Sequence, residues 1–271
     1  MVSKKMVDMN RKCPTGIPGL DELIEGGLPR KRSVLVSGKC GTGKTIFGIQ
    51  FLYNGIVKYN EPGILVALEQ DPKELRQDMK GLGFDLQEHE RDGKLIIIDT
   101  GLSRMELDTE GKSKEKSDKF EIPEGSISLF PDELTMDKLL EIITEKADEI
   151  NAKRIVIDSL PALDFLVRDR ATDIKYVMRQ MILAMNYRLK LIGLTSLLIT
   201  EIPWSDGISP HGIESYVTDG VIVLSTVRKG NVRENTIEII KMRDTKHERK
   251  IVPFAIDRGI RVFPHEEVFL D

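Results

Sequence analysis

Five short runs of the chain are apolar through their length: "SVLVSG" from Ser33, "GILVAL" from Gly63, "KLIIID" from Lys94, "RIVIDSL" from Arg154 and "TSLLIT" from Thr195. A strand with one wetted face alternates apolar and polar residues, because successive side chains point to opposite faces. Runs without that alternation need cover on both faces, which calls for a mostly parallel sheet between two layers of helix. Helical segments fall between the runs, at Lys44 to about Tyr59, Pro72 to about Leu82, Met136 to about Asn151 and Asp173 to about Leu189. The second of these starts on an N-cap, Asp71, with Pro72 in the first turn. From Asp219 onward the texture changes to "GVIVLSTV", "NTIEIIKMR", "KIVPFAI" and "GIRVF", which read as a terminal antiparallel extension of the same sheet. The pattern predicts an α/β fold with a central, mostly parallel sheet flanked by helices. A tail covers residues 1–14 and one domain covers residues 15–271, with a polar, solvated insertion from Gly101 to about Ser128.

Composition narrows the functional classes. With 40 basic against 44 acidic residues, the 271-residue chain has a net charge of −4 and advertises no general affinity for polyanions. Its two cysteines, Cys13 and Cys40, show no pairing pattern and read as free thiols in a reducing cytosol. The opening "MVSKKMVDMNRKCP" has no apolar segment for secretion, and no run of about 18 apolar residues suggests a membrane span. The expectation is a soluble cytoplasmic protein.

Between the first apolar run and the first helix stands "GKCGTGKT", Gly38 to Thr45, which matches G-x-x-x-x-G-K-[ST]. Gly38, Gly41 and Gly43 let the backbone curl so that successive N–H groups converge on phosphate oxygens, and the helix beginning near Lys44 adds its positive dipole end. Gly38, Cys40, Gly41, Thr42, Gly43, Lys44, Thr45 and Ile46 are the candidate nucleotide-binding residues. Lys44 reaches the β- and γ-phosphates of ATP and the Thr45 hydroxyl ligates Mg²⁺. A carboxylate ending a strand beside the first would complete the metal site, and Asp158 of "RIVIDSL" meets that need. Asp99 in "LIIIDT" is taken as an ordinary strand-end residue. Cys40 is expected to be buried and inert rather than redox-sensitive. His89, His211, His247 and His265 are widely spaced, with no metal-ligand pattern.

At this point the chain resembles a known family. "TGIPGLDELIEGGLPRKRSVLVSGKCGTGKTIFGIQFLYNG", "EPGILVALEQDPKEL", "RIVIDSL", "VTDGVIVL" and "IIKMRDTKH…PFAI…GIRVFP" are similar, in order, to KaiC-type domains of the RecA superfamily of ATPases. The resemblance runs from about Thr15 to Pro264 and is to the single-domain KaiC-like proteins common in archaea. It implies a RecA-like P-loop NTPase fold and a homo-oligomeric ring, usually hexameric, with ATP at subunit interfaces. By it, Glu69 of "LVALEQDP" becomes the acid that activates the attacking water. Lys241 and Arg243 become the K-x-R pair that reaches the neighbouring subunit's γ-phosphate, whereas by themselves they would read as two solvated cations on one strand face. Thr200 and Glu201 would stand where the γ-phosphate is sensed.

Three departures from the family pattern carry expectations of their own. Gln70 stands where many relatives keep a second glutamate, so that it could orient a water but not take its proton. Asp244 stands where a glycine often follows the finger pair, its charge placed to restrain Arg243. The autophosphorylated pair of KaiC would fall at Ser215 and Tyr216. The resemblance implies slow ATP hydrolysis that signals to, or remodels, a protein partner of unknown identity. The alternatives are a recombination or repair accessory ATPase acting on single-stranded DNA, and an ATP-binding module with negligible turnover or autokinase activity. Nucleic-acid binding is not indicated by the channel-facing segments, where Arg168 and Arg170 are balanced by acids and the segment of the only tryptophan, Trp204, carries no Lys or Arg.

Overall fold

All five apolar runs form neighbouring strands of one sheet in the computed structural model, which describes residues 11–100, 105–107, 113–115, 126–128, 134–166, 174–202, 207–210, 212–229 and 231–268. The first half of the chain gives β1 (Lys12–Cys13), α1 (Leu20–Leu23), β2 (Leu28–Pro29), β3 (Ser33–Gly38), α2 (Lys44–Tyr59), β4 (Gly63–Ala67), α3 (Pro72–Gly81), α4 (Leu86–Arg91) and β5 (Leu95–Asp99). Then come β6 (Met105–Leu107), β7 (Ser113–Glu115), β8 (Ser126–Ser128), α5 (Met136–Glu149), β9 (Arg154–Asp158), a 3₁₀ turn (Leu160–Leu166) and α6 (Ile174–Leu191). The chain closes with β10 (Thr195–Glu201), α7 (Glu214–Val217), β11 (Gly220–Lys229), β12 (Val232–Met242), β13 (Val252–Asp257) and β14 (Gly259–Val262).

The sheet order is β14-β13-β12-β11-β3-β10-β9-β4-β5-β8. From β11 to β8 every pairing is parallel, and from β11 to β14 every pairing is antiparallel. Side chains alternate between two cores: Val34 and Val36 face one, with Phe47, Phe51 and Leu52 of α2, while Leu35 faces the other, with Leu139 of α5 and Met178 and Ile182 of α6. A fully buried Leu, Ile or Val of this kind contributes about 1.5–3 kcal/mol, which is why neither face of the central strands tolerates polar alternation. The helix ends follow local chemistry. Asp71 accepts from Lys73 N at 2.7 Å at the start of α3, and Thr135 accepts from Lys138 N at 3.2 Å at the start of α5. Asn60, at φ 52°, ends α2 in the left-handed conformation that short polar side chains tolerate.

Three expectations change. The strand "GVIVLSTV" (within β11) is parallel to β3, so the antiparallel extension begins only at β12. The polar insertion is not loop throughout: Ser126–Ser128 joins the sheet edge as β8 beside β5, and β6 pairs with β7. Packing also starts upstream of Thr15, since β1 pairs with β2 and Cys13 is fully buried.

Candidate active site

Parallel strands bring their C-terminal ends to one edge of a sheet, and the phosphate loop grows from that edge. Gly38 ends β3, and the loop turns back through Gly41 (φ 79°) and Gly43 (φ 89°), both left-handed. Thr42 closes it, its hydroxyl donating to Lys39 O at 2.8 Å and its N–H to the same carbonyl at 3.3 Å. Gly43 is the N-cap of α2 and no side chain caps that end, so the first-turn N–H groups face an incoming anion together with the helix dipole. Lys44 folds over the loop, with Nζ 3.0 Å from Lys39 O and 3.7 Å from Glu201 Oε1.

Asp158 stands at the end of β9. That strand is not beside β3 as expected, because β10 runs between them. Parallel alignment still delivers the carboxylate to the same edge, where the Thr45 hydroxyl hydrogen-bonds to it. Burial pushes the Asp158 carboxyl up to about 6; the Thr45 hydroxyl and Lys44 pull it back down, while the charges of Glu69 and Glu201 push it further up.

Glu69 does not end its strand directly. β4 stops at Ala67, Leu68 is buried with its N–H donating to Asp158 O at 2.7 Å, and Glu69 then turns outward into the cleft. There the buried Ser159 donates to Glu69 Oε1 at 2.6 Å. Gln70 does not line the cleft: its amide donates to Asp78 Oδ2 on α3 at 3.0 Å.

These groups share one open cleft of about 310 Å³, lined by Cys40, Gly41, Gly43, Lys44, Thr45, Ile46, Glu69, Asp158, Ser159, Glu201 and Ile256. Gly38 and Thr42 shape the loop from behind. Three carboxylates against one ammonium leave a surplus of negative charge, and hard oxygen donors in that surplus suit a divalent cation of the magnesium type. Cys40 is exposed on the rim, not buried as expected. Thr200 is fully buried behind the cleft, so of the expected γ-phosphate sensors only Glu201 borders it. Sequence reasoning missed Ser159 and Ile256. Ser159 was signalled by its place next to Asp158 at the strand end. Ile256 arrives from β13 by tertiary folding alone, with no local mark.

Lys241 and Arg243 lie at the other end of the sheet. Lys241 pairs with Val221, which is level with Leu35, three residues before Gly38, or about 10 Å along the strand. Arg243 N donates to Asp219 O, and Asp219 N to Ser33 O, which sets Arg243 about 17 Å from the level of Gly38. Lys241 Nζ donates to Ser215 O at 2.5 Å and Thr218 O at 2.7 Å; burial lowers its pKa, and the neighbouring Arg243 lowers it further. Asp244 does not restrain Arg243 as expected. Its carboxylate binds Arg11 at 3.1 Å, and its φ of 57° accounts for the glycine that the family often has there. Ser215 and the exposed Tyr216 sit on α7 at this same far end.

Arg168, Arg170, Trp204 and His211 lie outside the described residues. Among the described residues no three His, Cys, Asp or Glu side chains cluster as metal ligands, and no helix is long and apolar enough to cross a membrane.

Comparisons with known proteins agree with this geometry. The family model described as "ATPase: KaiC" matches residues 13–267. The circadian clock oscillator protein KaiC of Thermostichus vulcanus is 37% identical over 255 residues, covering 94% of this chain and 44% of its own length. The KaiC of Synechococcus elongatus is 36% identical, over 93% of this chain and 44% of its own length. The chain thus spans less than half of the curated relatives it matches. Among solved structures, the KaiC-like protein PH0186 of the hyperthermophilic archaeon Pyrococcus horikoshii OT3 superposes with a TM-score of 0.74 at 35% identity, covering 94% of this chain and 99% of that one. The sheet is therefore a RecA-type P-loop sheet, and the chain belongs to the KaiC family of ATPase domains.

Proposed function

We propose that the chain hydrolyses Mg·ATP, slowly, in a cleft completed by the neighbouring copy in a ring, hexameric as in the family pattern, in order to signal to or remodel a protein partner. One observation carries the reading. Lys44, Thr45, Asp158 and Glu69 share the cleft, while Lys241 and Arg243 lie at the opposite end of the sheet, out of reach of their own phosphate loop. A finger pair so placed can serve a γ-phosphate only in trans.

ATP would lie with its phosphates along the N–H groups of residues 39–45 and the start of α2. Lys44 would leave Lys39 O for the β- and γ-phosphate oxygens. The Thr45 hydroxyl and the Asp158 carboxylate would hold Mg²⁺, which when bound neutralises phosphate charge. Glu69, oriented by Ser159, accepts the proton of a water attacking the γ-phosphate in line, and the neighbour's Lys241 and Arg243 stabilise the charge that builds there. Because position 70 holds an amide, Glu69 has no second carboxylate beside it to share the proton transfer, which favours slow turnover.

The test is Glu69→Gln. It should bind ATP as the unaltered chain does and lose at least about 10²-fold in turnover, the usual contribution of a positioned base. Turnover that survives the substitution overturns the assignment of Glu69. An unaltered chain with no turnover at any protein concentration would instead be a nucleotide-binding module.

A further inference from the structure

The carboxylate of Asp219 is completely buried, yet four donors converge on it from three segments of the fold. One oxygen, Oδ2, is anchored inward by Lys190 Nζ of α6 at 2.6 Å and by the backbone N–H of Ser33 at 3.3 Å. The other, Oδ1, faces the half-exposed guanidiniums of Arg32 at 3.4 Å and Arg243 at 3.6 Å. The backbone of the same residue accepts from Arg243 N at 2.9 Å. Just before it, the carbonyls of Ser215 and Thr218 hold the Lys241 ammonium. Residues 215–219 therefore form a cradle for both cations of the K-x-R pair, and Asp219 is its one charged member.

We propose that Asp219 is the positioning residue of the Arg243 finger, an inference that rests on the trans reading given above. Arginine has many rotamers, and a finger that must meet a phosphate on another subunit loses effectiveness with each one it samples. A carboxylate fixed on one oxygen by the core presents the other to Arg243 Nη1 and biases the guanidinium toward one placement. Arg243 is itself half-exposed and its Nη1 lies 3.6 Å from the carboxylate, a weak contact, so Asp219 orients Arg243 without trapping it. Asp219 touches neither nucleotide nor water in its own cleft, and its effect is exerted next door.

The experiment is a double-substitution cycle on steady-state ATP turnover at saturating protein, with Asp219→Asn, Arg243→Ala and both together. Asp219→Asn should lower kcat about 3–10-fold with KM for ATP unchanged, and should cost nothing further on the Arg243→Ala background. If the buried change prevents folding, Lys190→Met decides. It removes the Oδ2 anchor from a partly exposed site on α6 and should lower kcat in the same direction, again only while Arg243 is present. If Arg243→Ala leaves turnover untouched, the finger reading itself fails. If Arg243→Ala slows turnover but Asp219→Asn and Lys190→Met do not, or slow both backgrounds equally, the finger stands and the role of Asp219 is refuted.

Discussion

Replacing Gly43 by alanine puts a Cβ into the phosphate loop at φ 89°, a left-handed conformation that costs an L-residue roughly 1–2 kcal/mol. The new carbon would also lie 2.7 Å from Ile256 Cδ1, the flexible end of a side chain that must then shift. Gly41→Ala is the matched comparison: φ is 79° and nothing lies within 4 Å of the added carbon, so only the backbone term acts. If the variant loop keeps its shape, the strain appears as lost folding stability. If it relaxes, the N–H groups turn away and the strain appears as weaker binding. Either way the free energy of the bound state, measured from unfolded chain and free nucleotide, rises by about the same amount. For Gly41→Ala the sum of the two losses should be about 1–2 kcal/mol, equivalent to about 5–30-fold in an equilibrium constant. For Gly43→Ala the sum should be larger. Denaturant unfolding gives the first part and calorimetric titration with Mg²⁺ and a non-hydrolysable ATP analogue gives the second. No change in either quantity for Gly43→Ala, or a larger loss for Gly41→Ala, would refute the cradle as described.

Two further outcomes follow from groups away from the chemistry. Glu61 holds the fully buried Arg154, its Oε2 accepting from Arg154 Nε at 2.7 Å; burial pushes the Glu61 carboxyl up, but the guanidiniums of Arg154 and Arg30 outweigh this and hold it below its ordinary value. Glu61→Ala should therefore cost about 3–5 kcal/mol in denaturant unfolding, with KM for ATP unchanged, and the stabilisation should fade as pH falls below the ordinary glutamate value of 4.5. Cys13, fully buried and pushed by burial up to about 11, should resist iodoacetamide in the native state while exposed Cys40 reacts; Mg·ATP should protect Cys40, and mass spectrometry of labelled peptides reads both.

The legible part of this protein is local and repetitive. Unbroken apolar runs announced the parallel sheet because burial on both faces leaves no alternation, and "GKCGTGKT" announced its loop because so few sequences allow that turn. The helix start at Asp71 was written in capping chemistry. What escaped was set by strand order and by the packing of distant segments. Nothing in "RIVIDSL" says that β10 will run between β9 and β3, nor that Asp158 will nonetheless reach Thr45. Gln70 looked like a member of the site because many relatives keep a second glutamate there, but its amide found Asp78. Asp244 looked like a restraint on Arg243 because it adjoins it, and found Arg11 instead. Short apolar or polar pieces such as β8, α1 and α4 fell below what periodicity can separate from loop.

The central claim is that each cleft is completed from the next copy, and mixing two inactive variants tests it most directly. Glu69→Gln keeps Arg243 but lacks the base, and Arg243→Ala keeps the base but lacks the finger, so each alone should hydrolyse ATP at a small fraction of the unaltered rate. After unfolding, mixing in equal amounts and joint reassembly, an intact Glu69 should stand beside an intact Arg243 at about one interface in four. Turnover should then recover to about a quarter of that of the unaltered protein, rising with total protein concentration. A mixture as inactive as its two components would contradict the account.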